Sequence, residues 1–268
     1  MELTWLDSNS WLIVIGGKRI LVDPWLVGPL MFGDAAWFFK AERRIPREIP
    51  QNIDLILLSQ GLPDHTHPAT LQALSRQIPV IGSPSAAQIV KSLGYTDVTA
   101  LDHGATATLG NLYLEAVPGS PTGPKTLENG YILKDLQLGH SLYYEPHGYH
   151  SPVLQTKQPI DVVITPTVNL TLPLLGAVIK GQESAINVAQ WLQPQYLINT
   201  AAGGDLVASG FLLKFLKLQG TTEALQANLA AQKLTTQVLE LTPWQQYSIS
   251  LGSKNLSDTS KAIKTAIN

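Results

Sequence analysis

Residues 53–58 read Ile-Asp-Leu-Ile-Leu-Leu, an apolar run of strand length with no polar alternation over its last four positions. A strand with one wet face alternates apolar and polar side chains, whereas a run like this suits a strand covered on both faces. The run delivers its C-terminal end into Ser59-Gln60-Gly61-Leu62-Pro63-Asp64-His65, so chemistry is expected in the loop that follows it. Upstream, residues 10–15 and 19–22, joined at Gly16-Gly17 and closed by Asp23-Pro24, read as strands of a meander that begins near Trp5. Downstream, residues 68–76 and 84–93 carry helical spacing around a short strand at 80–82, with Gly94 as C-cap.

The second half repeats this logic. Strands are expected from 105 to 145, a buried strand at 161–164, a helix at 182–192, a strand at 196–198 and an amphipathic helix at 206–218 stopped by Gly220. Meandering strands that lead into single buried strands and helices favour two sheets packed face to face with helices outside, an α+β arrangement, over a doubly wound sheet. With 44% apolar residues the chain can fill one sizeable core, and one domain over residues 1–252 is expected, followed by a polar tail at 253–268.

Eighteen basic against twenty acidic residues leave a formal charge of -2, which gives no electrostatic excess for nucleic acid. With no cysteine, a disulfide framework, a thiolate metal site and a cysteine nucleophile are excluded, and any metal must sit on His, Asp or Glu. No basic leader precedes an apolar run and no stretch of about 18 apolar residues occurs, so a cytoplasmic protein without a membrane span is expected.

Four of the six histidines fall in two short loops, His65 and His67 in one, His147 and His150 in the other. The plain reading of Asp64-His65-Thr66-His67 is a helix N-terminus, capped by Asp64 or Thr66 ahead of Pro68. The sharper one is a metal centre, because ligands on a strand-to-helix loop are held rigidly enough to keep one coordination position open for water. Spacing alone does not decide between them.

From Leu3-Thr4-Trp5 through Leu21-Val22-Asp23-Pro24-Trp25, and again over Ile56 to His65, Asn129-Gly130-Tyr131-Ile132-Leu133, Tyr143-Tyr144-Glu145-Pro146-His147 and the strand–helix–strand from 161 to 199, the chain resembles the metallo-β-lactamase superfamily, in particular its ascorbate-lactonase-like branch. The resemblance covers roughly residues 1 to 215. It implies an αββα four-layer sandwich with a dinuclear metal site whose signature is Thr-His-x-His-x-Asp-His. Here Gln60 and Leu62 stand at the first two signature histidines, no histidine follows Pro118-Gly119-Ser120, and Ala201-Ala202 stand where the last one is expected. The first metal position is therefore expected to be lost.

Asp64 and His65 remain at second-site positions and His147 stands near the bridging aspartate. A single divalent ion (Zn, Mn or Fe) on Asp64, His65 and His147 is expected, with His67, Glu145 or Asp205 helping and with Asp64 and His65 as the catalytic pair. The leading reading is hydrolysis of an ester, lactone or phosphoester in an apolar pocket. The alternative is a metal-free member of the fold that binds a small or lipid-like ligand, and a third is acid–base chemistry by Asp64 with His65 or His147. The aromatics Trp25, Trp37, Phe38 and Phe39 and the apolar stretch 166–181 are candidates for plain core or for the wall of such a pocket. The oligomeric state is left open.

Overall fold

A computed structural model describes residues 1–33, 35–123, 126–157, 159–173, 176–201 and 203–251. Two seven-stranded sheets form its centre. The first runs Gln246–Ser248, Glu2–Trp5, Trp11–Ile15, Lys18–Val22, Leu55–Leu58, Val80–Gly82, Val98–Ala100 in spatial order. The second runs Gln237–Leu239, Tyr196–Ile198, Val162–Ile164, Ser141–Tyr144, Thr126–Asp135, Leu112–Gly123, Thr106–Leu109.

Leu55–Leu58 pairs in parallel with Lys18–Val22 on one side and Val80–Gly82 on the other. Its residues alternate between two cores. Leu55 and Leu57 pack between the sheets with Trp11, Ile13, Ile20, Leu114, Leu133, Leu142 and Ile164. Ile56 and Leu58 face the outer layer, where Leu71 of helix Pro68–Ala73 and Ala86 and Val90 of helix Pro84–Ser92 cover them. The absence of polar alternation in this segment is thus the direct imprint of a helix layer on one face and a sheet on the other. On the far side, Val188 and Leu192 of helix Glu183–Leu192 cover Val163 and Tyr143, while Leu225 and Leu229 of helix Thr222–Ala231 cover Leu197. The order helix, sheet, sheet, helix is the expected αββα sandwich.

Several local expectations change. Residues 206–218 form two short strands, Leu206–Ser209 and Lys217–Gln219, around a 3-10 turn at Phe211–Lys214. Apolar side chains at 206, 207, 211–213, 215, 216 and 218 leave no polar face for a surface helix, and each strand instead finds a distant partner: Leu206–Ser209 pairs with Lys40–Arg43, and Lys217–Gln219 with Asn169–Leu172. Helix Pro68–Ala73 is capped by His67, whose side chain accepts from Thr70 N, rather than by Asp64 or Thr66. The stretch 166–181 contains a hairpin of Asn169–Leu172 and Gly176–Ile179; Leu174 and Leu175 lie outside the described residues, as do Ala202 and the tail at 253–268. No described helix is long and apolar enough to cross a membrane.

Candidate metal centre

The loop after Leu55–Leu58 and the loop after Ser141–Tyr144 meet at one end of the sandwich. Gln60 Nε2 lies 3.0 Å from His147 Nδ1, and the His65 and His147 rings are 4.9 Å apart, centroid to centroid. Within this junction Asp64, His65 and His147 each offer a ligand atom, and the three atoms lie within 4.8 Å of one another.

His65 is held from behind. Its Nδ1 is 2.7 Å from Asp23 Oδ2, a carboxylate that also accepts from Ser59 N (2.7 Å, on Oδ1), Ser59 Oγ (2.6 Å) and Tyr144 OH (2.7 Å). Asp23 and His65 are both fully buried. A carboxylate on Nδ1 fixes the tautomer and turns Nε2 toward Asp64 Oδ2, 3.1 Å away, which is how a carboxylate behind a metal-ligating histidine works. Asp23 sits at φ 41, where the chain turns sharply out of Lys18–Val22. Sequence reading placed it as the end of a meander and missed this role, since its partners stand 36, 42 and 121 positions away.

Electrostatics follow from this geometry. Burial pushes the Asp64 carboxyl up, but the neighbouring His65 charge and hydrogen bond outweigh it and hold the group at about 2. Burial works against the His65 imidazolium, yet Asp64 and Asp23 on its two sides raise it to about 10. His147 is pushed down to about 4 by burial and by the His65 charge. Burial lifts Glu145 to about 7, against the backbone N–H groups that its carboxylate accepts.

Of the expected helpers, none joins the triad. His67 caps its helix, with Nδ1 3.0 Å from Thr70 Oγ1 and Nε2 3.4 Å from the Pro29 carbonyl. Glu145 accepts from His147 N and Tyr149 N (3.2 and 2.7 Å) and so shapes the loop that carries His147. Asp205 faces Arg44 and Arg47 at 3.9 and 3.7 Å. His150, the fourth clustered histidine, lies between Tyr143 OH and Thr165 Oγ1 and is pushed down to about 3 by burial.

Among the described residues one group of His and Asp side chains, the triad, could hold a divalent ion. Of the buried side-chain oxygens without a partner among the described residues, Asp64 Oδ1, Gln60 Oε1 and Glu145 Oε1 lie in these two loops and Asn9 Oδ1 on a side chain whose Nδ2 is 3.2 Å from His65 Nε2, while Asn129 Oδ1 lies on a strand; an unpaired buried acceptor calls for a donor or a cation. Leu62, at the other lost ligand position, is 42% exposed and has no donor atom.

The model of the "Beta-lactamase superfamily domain" family matches residues 2–201 of the 268. The chain belongs to this superfamily. Relatives named metal-dependent hydrolases of the UPF0173 family include one from Cereibacter sphaeroides, 30% identical over 148 residues, which are 55% of this chain and 60% of the relative. The chain thus spans about 60% of the length of that relative, whereas one from Herpetosiphon aurantiacus is 28% identical over 259 residues, 92% of this chain and 97% of the relative. Among solved structures, an isothiocyanate hydrolase from Delia radicum gut bacteria superposes with TM-score 0.68 at 15% identity, covering 93% of this chain and 99% of the other. The metallo-β-lactamase-fold protein YhfI of Bacillus subtilis superposes with TM-score 0.60 at 14% identity, covering 92% and 98%. These likenesses place the sandwich in the metallo-β-lactamase fold.

Proposed function

We propose that the chain is a one-metal hydrolase of the superfamily that cleaves an ester, lactone or phosphoester, with a single Zn²⁺, Mn²⁺ or Fe²⁺ held by Asp64, His65 and His147. The observation that carries this reading is the Asp23 carboxylate 2.7 Å behind His65 Nδ1, which aims Nε2 at the space shared with Asp64 and His147. A divalent ion at such a site supplies Lewis acidity and makes water nucleophilic near neutral pH. The chain's own residues do the rest. Asp64, kept ionised, offers a permanent negative charge, and its unpartnered Oδ1 orients water at the pocket floor. The Gln60, Asn9 and Ser120 side chains border the triad and orient the polar end of a substrate.

Metal-free acid–base chemistry by Asp64 and His65 is disfavoured, since carboxyl and imidazole are driven away from neutrality in opposite directions and a general base works best near the operating pH. A second reading has its own support. The Gln60 side-chain amide lies 2.7 Å from His65 Nε2 and 3.0 Å from His147 Nδ1 and so fills the space between the two imidazoles without an ion, as it would in a metal-free binding module.

Metal analysis of protein purified without added chelator, followed by titration with Zn²⁺, Mn²⁺ and Fe²⁺, separates the two. One equivalent taken up, lost in His65→Ala, supports the hydrolase. Less than a tenth of an equivalent, with thermal stability indifferent to chelator, overturns it, because a bound ion stabilises the fold by mass action.

A further inference from the structure

The pocket in front of the triad has a volume of about 570 Å³, within the range of small-molecule sites. Its walls are mostly apolar, with polar side chains, Asn9, Gln60, Ser120 and Thr122 among them, beside Asp64 and His147. Phe39 comes from the segment before Lys40–Arg43, Leu170, Leu172 and Val178 from the hairpin, and Leu212 and Leu216 from the 3-10 turn and the residues after it. Among the described residues that line it there is no Lys or Arg, and the one carboxylate is Asp64. Lys180, which follows the hairpin, lines instead a separate hollow beside the His147 loop, with Nζ 4.0 Å from the centre of the Tyr149 ring.

A phosphoryl group brings more than one negative charge in its monoester form, and sites for it supply Arg or Lys forks that hydrogen-bond its oxygens. Here such a group would meet the triad with the neutral Asn9, Gln60, Ser120 and Thr122 side chains on one side and Phe and Leu side chains on the other, with no guanidinium or ammonium fork among the described lining residues. A dianion there would also face the Asp64 carboxylate with no Lys or Arg to answer it, and burying an incompletely paired charge is costly. Burying an alkyl chain against the same walls is favourable in proportion to its area.

We infer that the pocket takes a neutral carboxylic ester or lactone with an apolar tail, the tail lying between the hairpin and the Leu212–Leu216 segment. The reacting group rests on the hydrolase reading above; the tail does not, because none of the side chains that wall it is a ligand in that reading. The side chains that select it are Leu170, Leu172, Val178 and Leu212, which act on substrate length and charge rather than on the bond broken.

The experiment uses the full chain after chelator treatment, so that uptake of metal is not part of the readout. Binding of 1-butanol, 1-hexanol, 1-octanol, octanoate and octyl phosphate is measured by ligand-observed NMR. Affinity is expected to rise along the alcohols by up to about fourfold per methylene, with octanoate and octyl phosphate at least tenfold weaker than octanol. Leu212→Lys, at a half-buried position, is expected to weaken octanol and strengthen octanoate, its folding checked by the thermal midpoint. Equal affinity for butanol and octanol, no binding at all, or an anion that matches octanol overturns the assignment, and the wild-type series decides even where the variant fails to fold. A protein that binds octanol but never metal keeps the tail and loses the hydrolase; one that takes up metal but ignores chain length does the reverse.

Discussion

Asp23→Asn tests the arrangement behind His65 with the smallest change in shape. Asp23 Oδ1 faces the backbone N–H of Ser59, which can only donate, so the new amide nitrogen is driven to the Oδ2 position. There it meets three groups. Ser59 Oγ can accept; Tyr144 OH can accept while it donates to the Asn9 carbonyl 2.9 Å away. His65 Nδ1 can accept only by giving up its proton, which moves the proton to Nε2 and removes the lone pair aimed at the metal position. Loss of charge-assisted bonds at one buried carboxylate costs about 1.5–3 kcal/mol, and for a domain of this size that lowers the thermal midpoint by roughly 3–12 °C. Metal affinity is expected to fall about 10- to 100-fold, the usual effect of removing a partner behind a ligand. Thermal unfolding with calorimetric metal titration reads both. A folded Asp23→Asn protein whose metal affinity stays within twofold of wild type would refute the tautomer argument.

The His65 shift makes two opposite pH trends. Its folded value, raised to about 10 above an ordinary 6.5, contributes stability that is complete below pH 6.5 and is lost progressively as pH rises toward 10; metal affinity rises over the same range, because binding releases that proton. Chelated protein whose midpoint holds constant from pH 6.5 to 9.5 would remove this claim. Gly148, at φ 75, lies so close to the Lys180 carbonyl that a Cβ would overlap it, so Gly148→Ala is expected to cost more than about 1 kcal/mol and to raise proteolysis within the 169–179 hairpin; an unchanged midpoint and digestion pattern speak against it. In urea, Leu57→Ala, buried between the sheets, is expected to cost about 2–5 kcal/mol, whereas Leu62→Ala changes stability by less than about 0.5 kcal/mol and leaves metal uptake intact. Equal losses for the two would contradict the burial difference.

What could be read from the sequence divides along the range of the interactions. Leu55–Leu58 announced its two-sided burial through composition alone, and the helices at Pro68–Ala73, Pro84–Ser92 and Glu183–Leu192 through their spacing and flanking Pro residues. The meeting of Asp64, His65 and His147 was legible through the family resemblance, which set the two histidine-bearing loops at one site where their spacing did not. The errors lie where a distant partner outweighs local pattern. Residues 206–218 look helical until Leu206 is paired with Arg43 and Leu218 with Leu170. Helix Thr222–Ala231 escaped notice because only Leu225 and Leu229 of its ten residues are buried, too thin a stripe to show a period. Asp205 seemed near the last ligand by position in the chain, but Arg44 and Arg47 draw it aside.

The hairpin at 169–179 is tied to the triad by its own backbone. Lys180 N donates to the His147 carbonyl at 2.8 Å, and Tyr149 OH donates to the Ala177 carbonyl at 3.0 Å. On the one-metal reading proposed above, a guest that pushes this wall outward would drag on the peptide that carries His147, and an ion on His147 would tighten the wall. Thermodynamics makes the exchange symmetric: whatever factor an occupant of the pocket applies to the hold on the ion, the ion returns in equal measure to the hold on the occupant.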